Sequence, residues 1–108
     1  MDKFSVSYSG EALDDLRNIY EYIAFQLNSP VTAVAQVNRI RSAARSLKAF
    51  PKRNKLVDWM PWSKLNVRQL PVDHFMTFYL ADGETLNVTI LRIFYGKRDI
   101  PHLIAKER

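Results

Sequence analysis

The sequence predicts an α+β fold of order β-α-α-β-β-β. An antiparallel helical hairpin packs on one face of a mainly antiparallel, twisted four-stranded sheet. Three observations predict it. Apolar residues alternate with period two near the N-terminus and again through the last third of the chain. Between them, two stretches carry apolar residues at steps of three and four. Short turn signals separate the segments and leave no room for long crossovers among the last strands.

Taken in order, Lys3–Tyr8 places Phe4, Val6 and Tyr8 on one face, the pattern of a strand with one buried side. Ser9 is an N-cap, and Glu11, Asp14 and Asp15 suit the positive end of a helix. The stripe Ala12, Leu13, Leu16, Ile19, Tyr20, Ile23, Ala24 and Leu27 then predicts a helix over about 10–27. Asn28-Ser29-Pro30 ends it and starts the next, with Ser29 as cap and Pro30 at the first helical position. The second stripe is Val34, Val37, Ile40, Ala44 and Leu47, closed by Phe50-Pro51. Residues 52–64 read as a polar loop carrying Trp59 and Trp62. Strands follow at Leu65–Leu70, His74–Leu80 and Thr85–Tyr95. Pro71-Val72-Asp73 turns the first pair; Ala81-Asp82-Gly83-Glu84 turns the second, with Gly83 at positive φ. In the last strand Leu86, Val88, Ile90, Arg92 and Phe94 share one face, and Thr89, Leu91, Ile93 and Tyr95 the other. Both faces are apolar, which predicts a central strand covered on both sides. The first strand must join this meander, because a lone strand is unstable. One helical turn is expected from Pro101 in the tail.

The 108 residues, 47% hydrophobic, fit one domain over 1–108. No apolar run is long enough to span a membrane, and the N-terminus has no secretory h-region. Cysteine is absent, which excludes disulfides, thiolate metal sites and thiol catalysis. A cytoplasmic location is expected, with no metal, no cofactor and no membrane partner.

The net charge of +5 hides an asymmetry. Residues 1–30 carry Lys3 and Arg17 against Asp2, Glu11, Asp14, Asp15 and Glu21. Residues 39–68 carry Arg39, Arg41, Arg45, Lys48, Lys52, Arg53, Lys55, Lys64 and Arg68 against Asp58 alone. Such a block attracts a polyanion or an acidic partner, although a solvated helix face has the same composition. Arg41, Arg45, Lys48 and Lys52, with Lys55 following, form one ridge beside the apolar stripe. Trp59 and Trp62 are candidate partner anchors, one packed as core and one exposed. Tyr8, Tyr20 and Tyr22 read as packing residues. Arg92, on an apolar face, needs a carboxylate from Glu84, Asp82 or Asp15 and reads as structural.

Four stretches resemble the RelE/ParE family of toxins from type II toxin–antitoxin modules. They are SVSYSGEALDDLRNIYEYIA, SPVTAVAQVNRIRSAARSLKAFP, VRQLPVDHFMTFYLA and VTILRIFYGKRDI, which together cover almost the whole chain. The resemblance implies the same β-α-α-β-β-β fold. It also implies a growth-inhibiting toxin of a plasmid stabilization or addiction module, neutralised by a cognate antitoxin. The antitoxin's C-terminal segment wraps the toxin, and operator DNA is bound only through the antitoxin. RelE-like members cut messenger RNA in the ribosome; ParE-like members poison DNA gyrase and are not known as nucleases.

RNA cleavage through the 2′-OH needs a base, an acid and cations on the phosphate. Against the RNA-cutting pattern, Arg98 matches the arginine after the last strand. The hairpin arginine is Met76 here, the paired lysines fall at Val67 and Gln69, and the C-terminal tyrosine falls near Ile104. The reading is therefore ParE-like, without nuclease chemistry. The alternative is a ribonuclease using Arg98, Arg68 and His102, with His102 in place of the tyrosine. Without that chemistry, His74 and His102 are surface residues, and Arg98 pairs with Asp99 at a strand end. Lys97 joins Arg41, Arg45, Lys48, Lys52 and Lys55 as a candidate contact for nucleic acid or an acidic partner. A non-toxic binding module of the same fold is a third reading, and self-pairing of the toxin stays open.

Overall fold

A computed structural model of the chain describes residues 3–96 together with Ile100 and Ile104. Strand β1 is Ser5–Tyr8, helix α1 Gly10–Glu21 and helix α2 Pro30–Arg45. Strands β2 (Arg68–Val72), β3 (Phe75–Asp82) and β4 (Asn87–Tyr95) follow. The sheet order is β1-β4-β3-β2, so β4 is central and β1 does join the meander. β1 runs parallel to β4, with Val6 opposite Val88; the other pairs are antiparallel.

The two helices cover the front face. Ala12, Leu16, Ile40, Ala44 and Leu47 meet Tyr79, Val88, Ile90 and Ile93 there. The back face is filled by Val57, Trp62, Val67, Phe78 and Phe94 with Ile100 and Ile104. β4 is thus covered on both sides, as its two apolar faces predict. No described helix is long and apolar enough to cross a membrane.

The alternation expected along β4 fails at one point. Phe78 lies opposite Arg92 but Tyr79 lies opposite Ile90, which leaves Leu91 as the extra residue of a β-bulge. Beyond it the faces exchange. Val88 and Ile90 face the helices, then Ile93 does, while Phe94 turns to the back core. A bulge disrupts the ladder, and α1 takes up the released groups. Ser9 Oγ accepts from Ala12 N–H (3.0 Å) as the helix cap and donates to Leu91 C=O (2.8 Å). Asp15 Oδ2 accepts from Ile93 N–H at 2.9 Å and from Arg92 Nε at 2.8 Å, while Arg92 Nη2 reaches Oδ1 at 3.1 Å. Of the three carboxylates considered for Arg92, Asp15 is the partner.

The helices also depart from their stripes. After Tyr22 the first helix widens into a π-turn, Tyr22–Gln26, with Leu27 N–H bonding Tyr22 C=O. Ile23 and Ala24 stay buried, but Leu27 and Tyr22 turn outward, as does Leu13 earlier in the helix. On α2 the buried positions are Ala33, Gln36, Ile40 and Ala44, so Val34 faces solvent. Ser29 holds the cap position, but its Oγ donates to Thr32 Oγ1 (2.7 Å) instead of accepting a backbone N–H.

β2 begins three residues later than the alternation predicts and includes Pro71. An edge strand tolerates proline because the absent N–H faces away from the ladder. The turn is therefore Asp73-His74, with Asp73 left-handed. Between β3 and β4, Asp82 Oδ1 accepts Glu84 N–H (2.9 Å), and the left-handed residue is Leu86 instead of Gly83. β4 accordingly starts at Asn87, two residues late.

Candidate interaction surfaces

Two surfaces stand out, at opposite ends of α2. The first is a groove of about 830 Å³ between the helical hairpin and the exposed end of β3 and β4. Tyr22, Ile23, Leu27, Thr32 and Gln36 line it from the hairpin; Phe75, Ile93 and Tyr95 line it from the sheet. Phe75 and Tyr95 meet edge to face at 5.9 Å. The Asp15–Arg92 pair also lines the groove, already satisfied by its own bonds. Beside the groove the hairpin tip is apolar and unprotected. Phe25 is 71% exposed, Val31 83% and Leu27 56%, with Tyr22 and Val34 also exposed. Single exposed apolar residues need no explanation, but a cluster flanking a groove marks an interaction site.

An ionic tie holds the sheet side of this groove in place. Asp73 Oδ2 accepts from Arg39 Nε at 2.7 Å and from Gln36 Nε2 at 3.0 Å, linking α2 to the β2–β3 turn. These two bonds, Arg39 first, hold the Asp73 carboxyl below its ordinary pKa.

The second surface is cationic. Arg41, Arg45 and Lys48 project from α2 and the 3₁₀ turn that extends it, Ser46–Lys48, and all are exposed. Arg41 also lies over the Tyr8 ring, 5.4 Å from its centre. Tyr8 is half-buried, and burial raises its pKa against the lowering pull of Arg41 and Arg45, so it packs as the sequence predicts. Lys52 and Lys55 follow and are exposed, but Lys52 lies near the β3–β4 turn and helps depress Asp82. The predicted ridge is therefore continuous in exposure but not equally free of acid.

Between these cations stands Phe50, which sequence reasoning treated only as a helix stop. It is 63% exposed with φ 52 and ψ 55, a left-handed conformation that disfavours a bulky residue by about 1–2 kcal/mol. The turn beneath it is bonded throughout. Arg53 Nη1 donates to Ala49 C=O (2.6 Å) and Phe50 C=O (3.0 Å), and its Nη2 to Ser46 Oγ (3.1 Å). Tyr79 O–H donates to Pro51 C=O, and Asn54 Nδ2 donates to Tyr79 Oη at 3.0 Å. Burial raises the Tyr79 pKa, so the phenol keeps its proton for that bond. Arg68 Nη1 donates to Asn54 C=O at 2.8 Å, tying β2 to the same loop.

The sequence predicts one tryptophan in the core and one exposed, but both pack on the back face. Trp62 is buried and Trp59 half-buried; they stack at 5.3 Å and both meet Phe78 edge-on. Lys97, Arg98, Asp99 and His102 lie outside the described residues, as does the turn expected from Pro101. The apolar groove was missed because Tyr22 read as packing and Phe25 and Val31 fell off both stripes. Apolar residues left over after the stripes are assigned were the available signal.

The sequence profile described as "ParE toxin of type II toxin-antitoxin system, parDE" matches residues 6–100. No curated protein matches the chain significantly. A solved structure from the chromosomal ParDE system of P. aeruginosa superposes with a TM-score of 0.70 at 22% identity. The match covers 86% of this chain and 96% of that one. A chain of the RelBE2 toxin–antitoxin complex from Mycobacterium tuberculosis gives 0.61 at 21% identity, covering 88% and 93%. At these identities the likeness speaks for the fold, while the profile spans nearly the whole sequence. The chain belongs to the ParE family of type II toxin–antitoxin toxins, within the wider ParE/RelE fold.

Proposed function

We propose that the protein inhibits growth in the ParE-like mode, acting on DNA gyrase without cutting RNA, until a cognate antitoxin covers it. One observation carries the non-nucleolytic part. Three of the positions where the RNA-cutting pattern has other groups serve here as back-face packing; the fourth, Gln69, is half-buried on β2. Val67 is fully buried, Ile104 is buried, and Met76 packs against the same cluster. Val67, Met76 and Ile104 themselves offer a phosphate no cation. Arg68 is engaged with the Asn54 carbonyl. The apolar groove and hairpin tip are the seat proposed for the antitoxin, since a partner there removes Phe25 and Val31 from water.

Expression of the toxin alone tests the reading. Growth arrest with a DNA-damage response, intact messages and gyrase-linked DNA breaks is expected. New ribosome-dependent 5′ ends in messenger RNA, without DNA breaks, would overturn it in favour of the ribonuclease. Val31→Asp should weaken neutralisation by the antitoxin while arrest persists.

A further inference from the structure

The cationic end of α2 combines three properties that the packing of the fold does not require together. No acidic residue occurs in the sequence between Glu21 and Asp58. Arg45, Lys48 and Lys55 are exposed around a turn whose backbone is fixed by the bonds of Arg53, Asn54 and Tyr79. At the centre of that turn one phenyl ring, Phe50, projects into water from a left-handed residue. Strained, exposed and rigidly held is the signature of a group kept for contact, because each property alone is easily lost. Leu86, the other apolar left-handed residue among those described, has a structural use: its carbonyl accepts Ser5 N–H and starts the β1 pairing.

We propose that this end is a DNA-contact surface. Arg45, Lys48 and Lys55 take backbone phosphates, and Phe50 acts as an apolar wedge against the base stack of a bent or locally opened duplex. The cations are separate projections without a shaped pocket, which suits a repeating phosphate chain better than one carboxylate. An inserted phenyl ring is a recurrent device of proteins that hold deformed DNA, where it replaces part of the stacking that the bend removes. Lys52 is left out because Asp82 shares its field. The inference rests on the gyrase reading only for naming DNA as the nucleic acid; the contact is sequence-independent and separate from operator binding through the antitoxin.

Fluorescence anisotropy with the full-length protein tests it without gyrase. The probes are a 25-base-pair duplex and the same duplex with a central mismatched bubble. With three phosphate contacts, log affinity should fall against log salt with a slope of about −2.7. Lys48→Ser should make that slope shallower by about 0.9 on both probes. Phe50→Asn removes the ring but keeps a residue that tolerates positive φ; it should leave the slope and reduce the preference for the bubble about tenfold. Phe50→Tyr should restore that preference, which separates loss of the ring from loss of the fold. Binding that ignores both Lys48→Ser and Phe50→Asn overturns the proposal. So does equal binding to poly-glutamate, which would mark an acidic protein partner, and so does absence of DNA binding at low salt. A protein that binds DNA as described yet leaves gyrase untouched sinks the gyrase reading alone; one that poisons gyrase without binding DNA sinks this inference alone.

Discussion

The two faces of the sheet are filled by different means. On the front, two periodic helices lay Ala12, Leu16, Ile40, Ala44 and Leu47 over the strands, and polar ties from Ser9 and Asp15 fix α1 to β4. On the back, the irregular segment before β2 folds Val57, Trp62 and Val67 under Phe78 and Phe94, joined by Ile100 and Ile104. The bulge at Leu91 connects the two solutions, because it lets β4 turn Ile90 and Ile93 to the helices and Phe94 to the back core. A face built from helices has backbone bonds of its own. A face built from a loop has only scattered backbone bonds, such as Val57 N–H to Val67 C=O, so it should yield first.

Phe78→Ala tests that difference most strongly. The ring is 1% exposed and meets Trp59, Trp62 and Phe94, so its removal should cost about 3–5 kcal/mol. Tryptophan fluorescence should change at lower denaturant than helical circular dichroism, since the back face loses its centre while the front is untouched. Leu47→Ala on the front should instead move both signals together. Coincident transitions in Phe78→Ala would erase the distinction between the faces.

Asp15→Ala probes the front at its polar tie. The side chains of Asp15 and Arg92 are 11% and 15% exposed, and the same carboxylate accepts Ile93 N–H. Removing one member of so buried a pair should cost about 3 kcal/mol. Hydrogen exchange should quicken at Ile93, and the back-face indoles should keep their spectra. Protection that falls equally on both faces would show that the bulge couples them.

The same contrast explains what the sequence made legible. Periodicity is a property of regular elements, so the helical hairpin, the central position of β4 and the Arg92 partner set were all readable. Register was readable only up to the bulge, because Leu91 and Phe94 look like any other alternating residues until the partner strand is known. Pro71 was misread as a turn residue because edge position is set by sheet order, which one segment does not encode. Arg41, Arg45 and Lys48 were legible from helical spacing; Lys52 was not, because the helical run ends at Lys48 and Phe50 turns the chain. The groove was not: it joins Tyr22 and Leu27 to Phe75 and Tyr95, which are far apart in sequence, and the π-turn rotates the first two outward. Phe50 was hidden differently, since its exposure depends on the bonds of Arg53 and Tyr79 beneath it.

A smaller front-face effect is expected from Ser9→Ala. Its hydroxyl serves Ala12 N–H and Leu91 C=O together, so loss of the cap should cost about 1–2 kcal/mol. Thermal unfolding of Ser9→Ala and Asp15→Ala, singly and combined, sharpens the comparison. If both act by holding α1 on the bulge, the double variant should lose less than the sum, as coupled neighbours do. Strict additivity would mean that each tie supports only its own end.

The smallest effect lies at the groove and appears only in acid. Arg39 and Gln36 hold the Asp73 carboxyl below its ordinary value, so the folded state favours the ionised form. That contribution is present above the unfolded pKa of about 4 and is lost as pH falls through the lower folded value. The site is open to water, so the effect should be modest and should shrink further in salt. Asp73→Asn isolates it: asparagine tolerates the positive φ at this turn but carries no charge. Its melting temperature should lie slightly below wild type at pH 6, and the gap should close by about pH 2. Asp82 is also depressed, but it is present in both proteins and cancels in the difference. A gap that persists at pH 2 would mean that the residue acts through turn geometry and that Arg39 does not clamp the sheet side of the groove by charge.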